Sequence, residues 1–286
     1  MTDSGMKIDL HMHTTVSDGT DRPEEIPAIV EAAGIGVFSV TDHDDVRGAR
    51  ILSSLTRSDG PKFITGIELS AEDADGKYHI LGYGFDPDSP SVTAAAGRSH
   101  DMRMRKVTSR IDLLRSEFGI VFPEEEIGAL LALDNPGKPH IGNLMVKYGY
   151  AGTVSDAITG YLNRLDVEEE HLAPEEAISA ILEGSGIPVL AHPFFGSGEE
   201  RITGEKMEAR LVRLVGCGLR GIEAYYSGFD EGLRSEALLL AGKYGLYVTA
   251  GSDYHGRNKS VKPGYTGLEP SDGYPAGLVR FLELFF

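Results

Sequence analysis

Nine histidines are spread along the chain, and several stand beside acidic residues at spacings that suit metal binding. His11 and His13 are two residues apart, and Asp253 and His255 repeat that spacing near the other end of the chain. On an extended strand, side chains two residues apart leave the same face. Such a pair can hold one cation from one side, so the spacing indicates a metal site.

The other candidate donors are nitrogen or oxygen atoms, because the chain has a single cysteine, Cys217. Imidazoles mixed with carboxylates suit zinc, manganese or iron and are too rich in nitrogen for calcium or magnesium. The donors are too many for one ion with about four to six ligands. We therefore expect two or three divalent ions, with Glu68 as the natural bridge between two of them. The donors are His11, His13, Asp18, His43, Glu68, His192, Asp253 and His255.

These donors must be positioned by strands, and five of the histidines lie at or near the carboxyl end of a predicted strand. Active sites of α/β proteins form where strands end and loops begin. Helical patterns between several strands predict an α/β fold with a mainly parallel sheet, closed into a barrel or strongly curved. The predicted strands are Lys7–His13, Gly36–His43, Phe63–Ala71, Tyr78–Phe85, Ile187–Pro193, Gly221–Tyr226 and Leu246–His255.

One stretch, from about Ser91 to Glu170, contains helical patterns and no convincing strand. We predict an inserted all-helical cap at residues 91–170, folded over one end of a host domain formed by residues 6–90 and 171–286. The helices predicted inside the cap are Arg98–Phe118, Pro123–Leu133, Pro139–Tyr148 and Val154–Leu162.

The composition restricts the partners. Lys and Arg number 27 against 44 Asp and Glu, a formal net charge of −17. Such an acidic surface argues against binding to bulk nucleic acid or to anionic lipid. No apolar run approaches the roughly 18 residues of a membrane span, and Met1–Met6 lacks the blocks of a signal peptide. We expect a cytoplasmic protein, and no protein partner is evident.

Seven short motifs follow one another along the chain. They are His11-Met12-His13-Thr14-Thr15, Ser17-Asp18-Gly19-Thr20, Thr41-Asp42-His43-Asp44, Gly66-Ile67-Glu68-Leu69-Ser70, His79-Ile80-Leu81-Gly82-Tyr83, Ala191-His192-Pro193 and Gly251-Ser252-Asp253-Tyr254-His255-Gly256. Their order resembles that of the PHP (polymerase and histidinol phosphatase) family, and the helical insertion is similar to that of small bacterial PHP phosphoesterases. The resemblance spans Lys7 to Gly256 and implies a distorted (β/α)7 barrel with a binuclear or trinuclear metal centre.

The resemblance also implies which residues share an ion, and it adds His79 to the set. One ion would take His11, His13, Glu68 and Asp253. A second would share Glu68 and take His79 and His192. A third would take Asp18, His43 and His255.

The activity implied is hydrolysis of a phosphate ester of a small metabolite: a nucleotide, a sugar phosphate or a small cyclic phosphodiester. Hydroxide held between two ions would attack the phosphorus in line, so no protein nucleophile is needed. Monoester and diester remain open. Lys138-Pro139-His140 resembles an Arg-Pro-His segment of the family that contacts phosphate, and Asn143 stands where relatives often carry a second Arg. The expected substrate-binding residues are Lys138, His140, Asn143, Arg103, Arg105 and Lys259.

Two other kinds of function stay open. Amidohydrolases cleave C–N bonds in a similar histidine-rich barrel, but they typically bridge their metals with a Lys, whereas Glu68 holds that position here. A metal-binding module without catalytic activity, as in some polymerases, is the other alternative. The complete set of metal ligands argues against it.

Overall fold

The fold is described from a computed structural model, in which residues 6–56, 59–133, 136–167, 170–195 and 201–286 are described. The chain forms two compact units. One comprises the chain up to Gly97 together with Leu172–Phe286, and the other comprises Arg98–His171. Each unit has its own apolar core.

The first unit begins with a small parallel sheet in the order β1, β2, β3. Short amphipathic helices connect its strands, as parallel strands require a crossover connection. Buried apolar side chains of helix α1 and strand β2, among them Ile26, Val30 and Phe38, pack together. The elements are β1 (Lys7–Asp9), α1 (Ile26–Ala32), β2 (Ile35–Phe38), α2 (Arg47–Leu55) and β3 (Lys62–Phe63).

The second sheet of this unit has five strands in the order β4 to β8. Strand β5 runs antiparallel to both of its neighbours, β4 and β6, whereas β6, β7 and β8 run parallel to one another. Most of the apolar core lies between this sheet and its helices. The elements are β4 (Gly66–Asp73), β5 (Gly76–Tyr83), α7 (Pro174–Glu183), β6 (Ile187–Leu190), α8 (Gly204–Gly216), β7 (Gly221–Tyr226), α9 (Glu231–Tyr244), β8 (Tyr247–Gly251) and α10 (Ala276–Leu282).

The α/β fold is confirmed, but the predicted strand Phe63–Ala71 is in fact two strands, β3 and β4, which belong to different sheets. Strand β4 pairs with β5 around a tight turn in which Asp73 faces Gly76. So short a loop can join only antiparallel neighbours, and Gly76 adopts the positive φ of 117° that the turn requires. The expectation of a mainly parallel sheet was therefore wrong for these strands.

The two sheets are not closed into a barrel by continuous pairing. Isolated parallel bridges link them instead, between Met12 and Tyr254 and between His43 and Glu68. The backbone of Leu10 also donates to Ala250 O at 2.8 Å. The residues of both bridges flank or belong to the predicted ligand motifs.

The described residues of the second unit are helical and form no strand pair. Val107, Ile111 and Leu114 of α3 contribute to its core. The four helices predicted here are present, and α3 starts eight residues earlier than predicted, in the first unit. The elements are α3 (Pro90–Phe118), α4 (Glu124–Leu131), α5 (Lys138–Lys147), α6 (Val154–Ala157) and a π-helical turn, Ile158–Leu162. Across the described part of the chain, no helix combines the length and apolarity needed to cross a bilayer.

Candidate metal centre

Glu68 lies at the centre of the predicted donors. Its side chain is buried, and its two oxygens face five imidazoles from four separate segments of the chain. Glu68 Oε2 lies 3.2 Å from a ring nitrogen of each of three histidines, His11, His13 and His43. Glu68 Oε1 lies 2.9 Å from His79 Nδ1 and 3.2 Å from His192 Nε2.

Most of the donors lie just beyond the carboxyl ends of parallel strands, as the sequence predicts. His11 and His13 follow β1, His43 follows β2, and His192 follows β6. Asp253 and His255 follow β8 in the same way. Glu68 and His79 differ, because they lie inside β4 and β5. The β4–β5 hairpin thus supplies its donors from the middle of strands rather than from their ends.

The first predicted ligand set converges closely. His11 Nε2 and His13 Nε2 are 3.1 Å apart, and both lie 3.2 Å from the same Glu68 oxygen. Asp253 Oδ1 approaches the two nitrogens at 3.6 and 3.3 Å. Four donor atoms therefore face one small volume.

The second and third sets also come together, and His43, a member of the third set, lies between them. His79 Nδ1 and His192 Nε2 are 3.1 Å apart next to Glu68 Oε1. His255 Nε2 lies 3.1 Å from Asp18 Oδ1. Donor atoms of His43 fall within 4.8 Å of the second and third sets alike, and His13 is also near the third set. Each of the nine predicted ligands therefore has a donor atom in one connected cluster.

The cluster has the chemistry of a cation site. His43 Nδ1 is buried and makes no hydrogen bond to any part of the chain that is described, although Glu68 Oε2 is 3.2 Å away. Two imidazole nitrogens that face each other at 3.1 Å, as in His11 and His13, cannot both present a hydrogen. Nitrogen and carboxylate atoms converge here on positions where only protons or metal ions can balance them.

The shifted pKa values of these side chains also indicate that the cluster favours positive charge. Burial alone would lower the pKa of His11, but the Glu223 carboxylate, followed by Glu68 and Asp253, outweighs burial and holds that pKa well above its usual value. For His13, burial would also lower the pKa, but the hydrogen bonds that its ring donates to Asp253 and Glu68 raise that pKa to about 9. Burial would raise the pKa of Glu68, and neighbouring imidazoles hold it well below its usual range instead. The carboxylates thus favour whatever cations occupy the cluster.

Two buried carboxylates that the sequence analysis missed support the centre. Glu223 on β7 accepts hydrogen bonds from His11 Nδ1 at 2.9 Å and from the backbone of His192 at 2.7 Å. Asp9, at the end of β1, accepts from the Ser252 amide at 2.9 Å and from the Ser252 hydroxyl at 2.6 Å. A single acidic residue within an apolar strand is the signal that could have identified both.

A small cavity of about 240 Å³ opens onto the donors within the first unit. Beside five of the ligands, it is lined by Phe195, Tyr226 and Lys259. Lys259 Nζ donates to Asp253 Oδ2 at 2.6 Å, and the Tyr226 hydroxyl donates to the same oxygen at 2.9 Å. Lys259 is thus the one predicted substrate residue that the described structure places at the cavity.

The other predicted substrate residues lie in the second unit. Lys138 Nζ donates to Asn163 Oδ1 at 2.7 Å, and Arg105 pairs with Glu170 at 2.5 Å. His140 Nδ1 accepts from the backbone of Gly137 at 3.2 Å, at the start of α5. Arg103 is partly buried on α3, and Asn143 is exposed on α5.

Comparison with known proteins gives the same assignment as the motifs. The model of the PHP domain matches residues 9–150, so the predicted resemblance to that family is confirmed. A phosphoribosyl 1,2-cyclic phosphate 1,2-diphosphodiesterase from Eggerthella lenta is 28% identical, over 87% of this chain and 94% of that protein. A 5'-3' exoribonuclease from Haemophilus influenzae is 28% identical, over 87% of this chain and 90% of that protein. Both relatives hydrolyse phosphoric esters.

The fold is also that of a solved structure from Bifidobacterium adolescentis, which is described as a candidate metal-dependent phosphoesterase. The two chains share 25% identity and superpose with a TM-score of 0.75, and 92% of each is covered. The α/β architecture built from β1 to β8 is therefore one that a known protein already adopts.

Proposed function

We propose, from the premise that this chain carries a PHP domain and is a phosphoric ester hydrolase, that it cleaves a phosphate ester of a small metabolite at a cluster of two or three divalent ions. The observation that carries the proposal is the convergence of eight nitrogen- and oxygen-bearing side chains around Glu68. Manganese, zinc and iron are the ions that such ligands suit.

The proposed ligand sets follow the three groups of donors. His11, His13 and Asp253 would hold one ion together with Glu68, and His79 and His192 would hold a second on its other oxygen. Asp18, His43 and His255 would hold a third. When bound, such ions lower the pKa of water and neutralise the charge of a phosphoryl group.

The side chains at the cavity then determine how the substrate is held. Burial, followed by the charge of Asp253, raises the pKa of Tyr226. Its hydroxyl therefore stays protonated and remains a donor. Lys259 is half-exposed and supplies an ammonium group beside the ligands. Both groups can donate to phosphoryl oxygens, and both now hold the one oxygen of Asp253 that faces away from His11 and His13.

A small substrate fits the charge and size of this site better than a polymer. A cavity of about 240 Å³ accepts a phosphoryl group and part of its leaving group. The net charge of −17 disfavours a long polyanion by electrostatic repulsion. We keep nucleotides, sugar phosphates and small cyclic phosphodiesters as the candidate substrates, with Lys138, His140, Asn143, Arg103 and Arg105 as proposed contacts from the helical unit.

The test is turnover by the chain loaded separately with Mn²⁺ and Zn²⁺. Phosphate release would be followed on nucleoside monophosphates, nucleoside bisphosphates and sugar phosphates, and ring opening on cyclic phosphodiesters. A short RNA oligonucleotide would complete the panel. We expect hydrolysis of at least one small ester, and hydrolysis of RNA alone would contradict the proposed substrate size.

A double variant, His11→Ala with His13→Ala, tests the metal dependence. Both rings lie within 3.2 Å of Glu68 Oε2, so their loss should abolish turnover and reduce the metal content of the soluble protein. His100→Ala is the matched control, because His100 belongs to none of the three donor groups. Activity of the double variant near that of wild type would end the proposal.

A further inference from the structure

Glu223 lies behind the proposed metal ligands, and nothing in the motifs points to it. It is the third residue of β7, is fully buried, and belongs to none of the three groups of donor atoms found in the described residues. Its two carboxylate oxygens accept one hydrogen bond each. Glu223 Oε1 accepts from His11 Nδ1 at 2.9 Å, and Oε2 accepts from the backbone N–H of His192 at 2.7 Å.

We infer that Glu223 is a positioning residue, which orients two proposed ligands of different ions, His11 and His192, without itself contacting a metal. The inference rests on the proposed function, since it assigns a role within that metal centre. A carboxylate on the far ring nitrogen of a metal-binding histidine fixes the ring orientation and the tautomer. Here one carboxylate does this for His11 and also holds the backbone of a second ligand.

The bond to Glu223 decides which nitrogen of His11 is free. With its hydrogen on Nδ1, facing Glu223, the ring presents the bare Nε2 to the cluster. That atom lies 3.1 Å from His13 Nε2, 3.2 Å from Glu68 Oε2 and 3.6 Å from Asp253 Oδ1. In the other tautomer, two lone pairs would face each other at 2.9 Å and the hydrogen would occupy the position of the cation.

His192 needs support of a different kind. Its φ is +26°, a backbone conformation that residues other than glycine rarely adopt. Such a conformation persists only where the surroundings hold it. The bond from its amide to Glu223 Oε2 provides that support, and the ring then reaches Glu68 Oε1 at 3.2 Å and His79 Nδ1 at 3.1 Å.

The neighbouring strand leaves space for this arrangement. A Cβ atom added to Gly251 on β8 would lie 2.4 Å from Glu223 Oε1 and 2.2 Å from His11 Cβ. A side chain at Gly251 would therefore displace the pair. The contact between Glu223 of β7 and His11, which follows β1, therefore requires a glycine at position 251 of β8.

The chemistry of the side chain explains why a glutamate fits this position. Two N–H donors need two acceptor oxygens, and a carboxylate supplies both. A glutamine has nearly the same shape but only one acceptor, so its NH₂ group must face either His11 Nδ1–H or the His192 amide. Glu223→Gln therefore removes one of the two contacts while it leaves the volume of the core unchanged.

The experiment compares wild type with Glu223→Gln by chelator-competition titrations of Mn²⁺ and Zn²⁺ and by the visible spectrum of the Co²⁺-loaded protein. We expect affinity for the ion of whichever ligand set loses its contact, the first or the second, to fall by about 10- to 100-fold. The ion at Asp18, His43 and His255 should be little affected. The Co²⁺ bands should shift, and kcat should fall with KM for the substrate nearly unchanged.

Val248→Ala is the matched control, because this buried residue of β8 packs in the apolar core and belongs to none of the three groups of donor atoms. It should lower thermal stability while metal affinity and the Co²⁺ spectrum remain those of wild type. If Glu223→Gln does not fold, Glu223→Asp replaces it, since aspartate keeps both oxygens but is one methylene too short to reach both donors. The same loss of affinity is expected.

Two failures can be distinguished. A wild-type chain that binds no divalent ion and hydrolyses no ester contradicts the proposed function. A wild-type chain that binds and turns over, beside a folded Glu223 variant of equal affinity and identical spectrum, overturns only the role of Glu223.

Discussion

Glu68 contacts more of the proposed ligands than a single pair of residues could. Its carboxylate is almost wholly buried and meets imidazoles from the ends of β1, β2 and β6 and from within β5. An unpaired carboxylate in such a place would be strongly destabilising. The surrounding histidines, or the ions they are proposed to bind, supply the compensating charge. The most buried acid of the cluster is therefore also the one proposed to bridge two ions.

At the same scale, Gly251→Ala tests the packing of the centre. The new methyl group would overlap His11 Cβ at 2.2 Å and Glu223 Oε1 at 2.4 Å, so one of them must move. We expect a loss of about 1–3 kcal/mol in the free energy of unfolding, together with weaker metal binding and lower kcat. Urea denaturation and metal titration would measure both effects.

Gly242→Ala is the control for that variant. Gly242 lies inside helix α9, and a Cβ atom there meets nothing within 4 Å. Replacing a glycine inside a helix with alanine usually stabilises by about 0.5–1 kcal/mol. Equal effects of the two substitutions would contradict the packing argument.

At the scale of elements, Asp42 ties the loop after β1 to the loop after β2. Asp42 Oδ1 accepts from the Thr14 amide and the Ser17 hydroxyl, each at 2.7 Å, and Oδ2 accepts from the Thr14 hydroxyl at 2.8 Å. Asp42 thus holds the loop that carries His13 and Asp18.

Asp42→Ala should therefore release that loop. Loss of the carboxylate leaves the buried Thr14 amide without an acceptor. This should lower the free energy of unfolding by about 1–3 kcal/mol. We expect weaker binding of the ion assigned to Asp18, with less change at the ions on Glu68. Metal stoichiometry by elemental analysis is the measurement.

Asp45→Ala removes the same charge from the same loop and serves as the comparison. Asp45 accepts hydrogen bonds from the amide and the guanidinium of Arg47 and belongs to none of the three groups of donor atoms. Metal content should be unchanged in this variant. If both variants lost metal equally, general electrostatics rather than the contact to Thr14 would be responsible.

Helix α5 of the second unit is the element proposed to contact the substrate. Lys138→Ala should raise KM by about tenfold or more, since a hydrogen bond to a charged group contributes about 1.5–3 kcal/mol. Metal content should stay constant, which steady-state kinetics and elemental analysis would show together.

Lys147→Ala, at the other end of α5, is the paired control for Lys138→Ala. Lys147 is bonded to Glu126, and its loss should leave KM unaltered. Loss of metal in Lys138→Ala would mean that α5 contributes to the metal centre and not to substrate binding.

At the scale of the whole molecule, the proposed ligands join distant parts of the chain. His11 and His255 are separated by most of the sequence, and Glu68 and His192 flank the entire helical unit. Ions held by all of them would bind the native state and not the unfolded chain. Removal of metal with a chelator should therefore lower the melting temperature.

The size of that effect follows from mass action. At a free metal concentration about 100 times Kd, one site adds about 2.7 kcal/mol to the free energy of unfolding. We expect differential scanning calorimetry to show recovery of the melting temperature when Mn²⁺ or Zn²⁺ is restored. The His11→Ala, His13→Ala double variant should respond much less, and an equal response would place the stabilising ions elsewhere.

The sequence by itself predicted which side chains come together, and it determined the kind of fold. Imidazole and carboxylate side chains two residues apart, next to apolar segments, indicate a metal site because the carboxyl ends of neighbouring parallel strands bring such groups together. The helices of the second unit were equally visible, since apolar periodicity and glycine or proline punctuation are local signals. These inferences needed only neighbouring residues.

Only the tertiary structure decided how strands and charges pair. The direction of β4 depended on a tight turn at Gly76, and the two sheets are linked through bridges at His43–Glu68 and Met12–Tyr254 rather than by a closed barrel. Glu223 was invisible as a participant, because its partners are 212 and 31 residues away along the chain. Hydrogen bonds between distant segments leave no periodic trace in a sequence, so such contacts emerge only when the chain is folded.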